Sequence, residues 1–203
     1  MVNRIMMRRL SKVAILLALN LGLLAHAQTQ PREVADAPAQ LSSTARIAPA
    51  GEPGMPFVIA GTVVAPDGKT PAAGVVVYAY HTDADGYYLP TGQWGETAEH
   101  QPRLRGWAKT DANGHFEFTT IKPAPYPNRD IPAHVHLQAW GAEYPRQWFE
   151  LEFAGDPLLP KQHFTDNTAD YLYIEPVTRD IKGVLHCSFT MRMRSTSNFR
   201  AGQ

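Results

Sequence analysis

Cysteine is almost missing from this chain. Cys187 stands alone among 203 residues, so no intrachain disulfide can form and the fold must rest on its core. Its alternating apolar surroundings mark it as a small buried hydrophobe. Neither charge sign is in excess, with 19 basic against 19 acidic side chains. That balance excludes the basic surface of a nucleic-acid binder. No repeat is visible. Past Leu24 no apolar run approaches the roughly 20 residues of a membrane helix. No helical apolar stripe appears there either, which speaks against a helix bundle or an α/β fold.

What the chain does have begins with a polarised N-terminus. Arg4, Arg8, Arg9 and Lys12 precede an apolar stretch from Val13 to Leu24, and Ala25-His26-Ala27 has the small-x-small form of a cleavage site. Residues 1–27 therefore read as a secretory signal, with a periplasmic or secreted mature chain and no stable membrane span after cleavage. Residues 28–56, rich in Ala, Pro, Ser, Thr and Gln, read as a disordered linker or tail loosely draped on the domain. Residues 196–203 read as a tail.

Between them, residues 57–195 carry β signals. Phe57 to Val64, Gly74 to Tyr80, Trp107 to Thr110, His115 to Ile121, the segment around His134, Gln147 to Phe153, and Gly183 to Met193 alternate or are Val- and aromatic-rich. Turn signals such as Pro66-Asp67-Gly68 and Asp111-Ala112-Asn113-Gly114 separate them. The expected fold is all-β, an antiparallel β-sandwich with long active-site loops. Tyr87 to Arg105 is the longest polar loop, and 158–170 reads as a short helix or irregular loop.

The chemistry concentrates at Ala133-His134-Val135-His136. In a strand, side chains alternate, so two histidines two apart point to one face. Zinc prefers Cys, His and carboxylates, and calcium and magnesium prefer carboxylates, carbonyls and water. Two histidines accompanied by tyrosines suit a harder, more strongly Lewis-acidic ion, one able to take the proton of a phenol whose ordinary pKa is about 10. Ferric iron is such an ion.

Several segments, in order, resemble the intradiol ring-cleavage dioxygenases, the non-haem ferric family of the protocatechuate 3,4- and catechol 1,2-dioxygenases. They are Gly61-Thr62-Val63-Val64, Gly74-Val75-Val76-Val77, Thr82-Asp83-Ala84-Asp85-Gly86-Tyr87-Tyr88, Arg105-Gly106, Thr110-Asp111-Ala112-Asn113-Gly114, Thr120 to Pro127, Pro132 to His136, and Gly155-Asp156-Pro157. The resemblance spans roughly Val58 to Pro157 and points to a secreted single-domain member. It implies an Fe(3+) cofactor, a catechol-type aromatic substrate, O2 as co-substrate, and cleavage between the hydroxyl-bearing carbons to a muconate-type diacid. Its metal ligands fall on Tyr88 (with adjacent Tyr87 as the fallback), Tyr126, His134 and His136. Tyr88 takes the place of the ligand that leaves when substrate binds. Two catalytic positions depart from the pattern: Ile131 stands where many members have arginine, and Glu150 where glutamine is usual. Arg129 and Arg146 are the candidate replacement cations. Homo-oligomer formation is compatible with the resemblance.

The strand and turn pattern also resembles transthyretin-like and carboxypeptidase-regulatory-like modules, which bind without iron or catalysis. Such a module has no reason to keep Tyr88, Tyr126, His134 and His136 together. Tyr78, Tyr80, Trp107 and Trp140 read as core or pocket-wall aromatics, and Asp156 as a turn former. His81, His100, His115, His163 and His186 read as ordinary residues, with His81 placed near the pocket mouth.

Overall fold

The computed structural model describes residues 31–90, 102–159 and 171–195. The signal segment, the C-terminal tail, and most of the two loops after Tyr88 and Leu158 lie outside these residues. The chain divides into two units, residues 1–37 and 38–203. In the first, the described residues hold one helical turn, α1 (Arg32–Ala35), following Pro31. No helix among the described residues is long and apolar enough to cross a membrane.

The second unit holds ten described strands in two five-stranded sheets. They are β1 (Thr44–Arg46), β2 (Pro56–Val64), β3 (Val76–His81), β4 (Leu104–Lys109), β5 (His115–Ile121), β6 (His134–Gly141), β7 (Tyr144–Phe153), β8 (Leu172–Glu175), β9 (Thr178–Arg179) and β10 (Leu185–Arg192). One sheet runs β1-β5-β2-β10-β9, the other β4-β3-β6-β7-β8. Alternation puts Phe57, Ile59, Phe118 and Met191 of the first sheet against Val77, Leu137, Phe149 and Leu151 of the second, in one core. Phe57 meets Phe153 edge-on at 5.4 Å. Truncating such a buried aromatic costs about 3–5 kcal/mol. Cys187 is buried in this core, as its pattern implies, and burial pushes its thiol up to about 12.

The sandwich is as expected, and neighbouring pairs such as β3–β4 and the hairpin β6–β7 are antiparallel. Three pairings are parallel: β1 with β5, β10 with β2, and β7 with β8. A period-two pattern says which side chains share a face and carries no information on strand direction. The segment read as a loose linker also departs from expectation. Its β1 adds an edge strand beside β5, and Ile47 and Ala48 are buried in the core. Two short strands, β8 and β9, had no clear alternation in sequence. Leu104-Arg105, read as the end of a loop, opens β4.

Candidate metal centre

The outer face of the second sheet carries the site. His134 and His136 project from β6 on that face. His136 lies between Tyr80 of β3 and Glu150 of β7, its cross-strand partners, and His134 lies opposite Glu152. Tyr80 stacks on the His136 ring at 4.7 Å.

Loops bring the phenols to the same place. Tyr126 sits between Pro125 and Pro127, whose rings restrict the backbone on either side. Asn128 follows in the left-handed region, φ 60°, and the Arg129 N–H donates back to the Tyr126 carbonyl at 3.3 Å. Tyr88 ends the loop that leaves β3. Gly86 in that loop, φ +88°, passes so close that a Cβ there would lie 2.2 Å from the Pro125 carbonyl oxygen. Only glycine permits both that φ and that approach.

The donor atoms converge. Tyr126 Oη lies 3.1 Å from His134 Nε2, 3.3 Å from His136 Nε2 and 2.5 Å from Tyr88 Oη. The two Nε2 atoms are 3.1 Å apart. Neighbouring ligands on one metal at bonds of about 2.0–2.1 Å stand roughly 2.9–3.4 Å from each other, so the separations among Tyr126 Oη and the two Nε2 atoms match the edges of a single coordination polyhedron, while Tyr88 Oη sits closer, in a hydrogen bond to Tyr126. The protonation states agree. His134 Nδ1 donates to the Pro132 carbonyl at 2.7 Å, which leaves its Nε2 as a bare lone pair. Burial, reinforced by neighbouring His134, holds His136 neutral by lowering its pKa to about 3. One phenol proton cannot serve two imidazole nitrogens at once, and a cation satisfies both.

Glu150 occupies the other side of His136, with Oε2 3.8 Å from Nδ1. Ligating atoms of His134, His136 and Glu150 lie within 4.8 Å of one another. Tyr126, however, meets the Nε2 atoms, so Glu150 faces the ring nitrogen turned away from the cluster. At 3.8 Å the carboxylate makes no hydrogen bond to Nδ1, but its charge favours a proton on that nitrogen over Nε2. Glu152 is buried, and burial plus the nearby charges of Glu150 and Asp156 raise its carboxyl to about 7.

All four sequence-derived ligand candidates are thus brought together, and Tyr88 rather than Tyr87 presents its hydroxyl to Tyr126. Ile131 packs against the tyrosine cluster with Leu89, Trp107 and Trp140, so the wall there is apolar. Arg146 does not replace the missing cation. It lies over Trp148 and donates to Gln138 at 3.3 Å, four residues from Glu150 and so about 13 Å along the strand. His81 is not near a pocket mouth either. It is fully buried, with its ring nitrogens 2.6 Å from the Thr82 carbonyl and 2.7 Å from Thr120 Oγ1. Asp156 forms its turn through Leu158 N–H and also accepts from Ala133 N–H at 3.2 Å, just before the histidines. Asp83, Arg103 and Glu52, described below, were missed. The Asp-x-x-Gly turn signal marked Asp83, whereas nothing local marked the other two.

A β-sandwich with two imidazoles and two phenols around one point on a sheet face is a candidate metal site whose donor set suits a hard, strongly Lewis-acidic ion. The family model described as Dioxygenase matches residues 29–195, and the chain belongs to the intradiol ring-cleavage dioxygenase family. It is 35% identical over 123 residues to catechol 1,2-dioxygenase 1 of Acinetobacter lwoffii, covering 51% of this chain and 38% of that one. It is 34% identical over 118 residues to the protocatechuate 3,4-dioxygenase beta chain of Burkholderia cepacia, covering 54% and 49%. In both matches the aligned region is less than half of the relative's length. The fold is similar to that of catechol 1,2-dioxygenase from Acinetobacter sp. ADP1, with a TM-score of 0.58 at 22% identity over 78% of this chain and 59% of that one. It is also similar to the dioxygenase domain of a carbohydrate-binding fusion protein from Streptomyces sp. SirexAA-E, with a TM-score of 0.56 at 23% identity, covering 78% and 92%.

Proposed function

We infer that this chain is a ferric, non-haem dioxygenase that opens catechol-type rings between the two hydroxyl-bearing carbons, using O2 and yielding muconate-type diacids. The observation that carries this reading is the meeting of Tyr126 Oη with both histidine Nε2 atoms and with Tyr88 Oη, all within 3.3 Å. The donor set suits Fe(3+), since phenolates stabilise a hard trivalent ion and disfavour its reduction. Bound there, ferric iron supplies Lewis acidity to a chelated catecholate.

The chain's own residues do the rest. His134 and His136 offer Nε2 lone pairs, that of His134 directed by the Nδ1 hydrogen bond to the Pro132 carbonyl. Tyr126, in contact with three other donor groups, is the fixed phenol. Tyr88 is the phenol that would give way to substrate, and its oxygen would then be placed to accept a catechol proton. Ile131 contributes an apolar wall, and Glu150 makes the adjoining stretch of β7 acidic. A ring carboxylate would meet like charge there, so neutral catechols are the preferred substrates. The N-terminal pattern supports action in the periplasm or outside the cell.

Oxygen uptake by iron-loaded protein against a panel of neutral and carboxylated catechols, with product identification, tests this. The expected result is uptake of O2 equimolar with substrate and a ring-opened diacid. A colourless protein without uptake would instead identify a binding module.

A further inference from the structure

Both phenol-bearing loops are tied to a polar network that touches none of the donor atoms. Asp83 is its hub. Its Oδ1 accepts from the N–H groups of Asp85 and Tyr87 at 3.0 and 2.9 Å. Its own N–H donates to the Tyr87 carbonyl at 2.8 Å, and its carbonyl accepts from Ala124 N–H at 3.1 Å. Thr82 Oγ1 donates to the Ala124 carbonyl at 2.7 Å. The Tyr88 loop is therefore stitched to the strand end that leads into Tyr126.

On its other side Tyr88 is held by Arg103, whose N–H donates to the Tyr88 carbonyl at 3.0 Å. The Arg103 guanidinium makes a two-pronged pair with Glu52, both contacts 2.6 Å, and passes 3.9 Å from Asp83 Oδ2. The Glu52 side chain is only 8% exposed. It comes from the segment between β1 and β2, far in sequence from either tyrosine. Arg103 is 32% exposed, so this half-buried ion pair adds little net stability, but its planar fork sets position and angle.

We propose that the Glu52–Arg103 pair is a positioning device for Tyr88. It clamps the backbone on the C-terminal side of Tyr88 while Asp83 clamps the N-terminal side. The backbone therefore stays in place when the phenol departs, and the ring returns to the same point. This rests on reading Tyr88 as a metal donor, and the reading and the proposal fail in different ways.

The test uses the full chain loaded with ferric iron and reads the tyrosinate-to-iron charge-transfer band per bound iron. Wild type, Glu52→Gln, Tyr88→Phe and the Glu52→Gln/Tyr88→Phe double variant are compared, with Arg103→Lys as a second probe that keeps the charge and loses the fork. Unfolding of the iron-free proteins is followed in parallel. Glu52→Gln is expected to retain iron through the remaining donors and to lose the band component that Tyr88→Phe removes. In the Tyr88→Phe background Glu52→Gln should change the band no further, because the two changes act through one group. Arg103→Lys should lose the same component, and it decides the matter if Glu52→Gln does not fold. A wild-type band in the variants, or an equal further loss in the double variant, overturns the proposal. A wild-type protein that binds ferric iron without any tyrosinate band overturns the reading of the site itself.

Discussion

The hydroxyls of Tyr88 and Tyr126 meet at 2.5 Å, yet the two phenols hold different places in the cluster. Tyr126 also reaches both histidines, at 3.1 and 3.3 Å, and rides on a proline-braced loop beside β6. Tyr88 approaches from the far side, on a loop that enters only through Gly86.

That asymmetry predicts unequal losses. Tyr126→Phe should weaken ferric iron binding by more than the roughly 10–100-fold typical of removing an outer hydrogen-bond partner of a ligand, and should lose most of the colour along with the iron. Tyr88→Phe should keep iron and a weaker band while slowing substrate deprotonation. Iron titration and visible absorbance of the two variants check this, and equal retention of iron in both would contradict it.

Ile131 packs on the tyrosines where the family resemblance leads one to expect a cation. Ile131 itself offers no charge to the ring in the transition state. Ile131→Arg should raise kcat on neutral catechols by about tenfold, less than the roughly 100- to 1,000-fold of a fully preorganised donor. Turnover that is unchanged or lower, with iron binding intact, would mean the apolar wall suits the reaction as it stands. Glu150→Gln should raise relative turnover of carboxylated catechols by removing like charge, as steady-state kinetics on both substrate types would show.

Gly86→Ala tests the approach of the two loops. The new Cβ would meet the Pro125 carbonyl oxygen at 2.2 Å in a backbone of φ +88°. Conformational strain and the clash together should cost about 2–4 kcal/mol and lower iron affinity by displacing Tyr88 from Tyr126. Gly155→Ala is the control. Its φ is +87° with nothing within 4 Å, so it should show the strain alone, about 1–2 kcal/mol, and full iron affinity. Thermal unfolding and iron titration of both variants give the comparison.

His81 predicts a pH dependence of stability. Burial lowers its pKa from 6.5 to about 4 in the folded protein. Between these values the unfolded chain binds the extra proton. The stabilisation is therefore complete above pH 6.5 and is lost as pH falls toward 4, by up to about 3 kcal/mol. Glu152 acts oppositely: its carboxyl is raised from 4.5 to about 7, so over that interval the folded protein binds the extra proton. His81→Gln keeps a donor and an acceptor and removes the titration. Denaturant unfolding across pH 4–7 should show a shallower loss of stability on acidification than in wild type, and parallel curves would refute the assignment.

Much of this molecule is written locally. The alternation in Phe57–Val64, His115–Ile121 and Leu185–Met193 dictates strands and their buried faces, because side-chain period follows from backbone geometry alone. The His-x-His spacing likewise dictates that both imidazoles share a face, and the prolines about Tyr126 dictate a stiff loop. Other features are decided by tertiary structure. Strand direction, and so the parallel seating of β10 on β2, depends on which neighbour packs best. Glu52 finds Arg103 across 51 residues, and the two phenols meet across 38. Tyr88 prevails over Tyr87 because the Asp83 turn aims that one ring at the cluster. Such contacts depend on loop closure and on the shape of the core, and no short stretch of sequence encodes either.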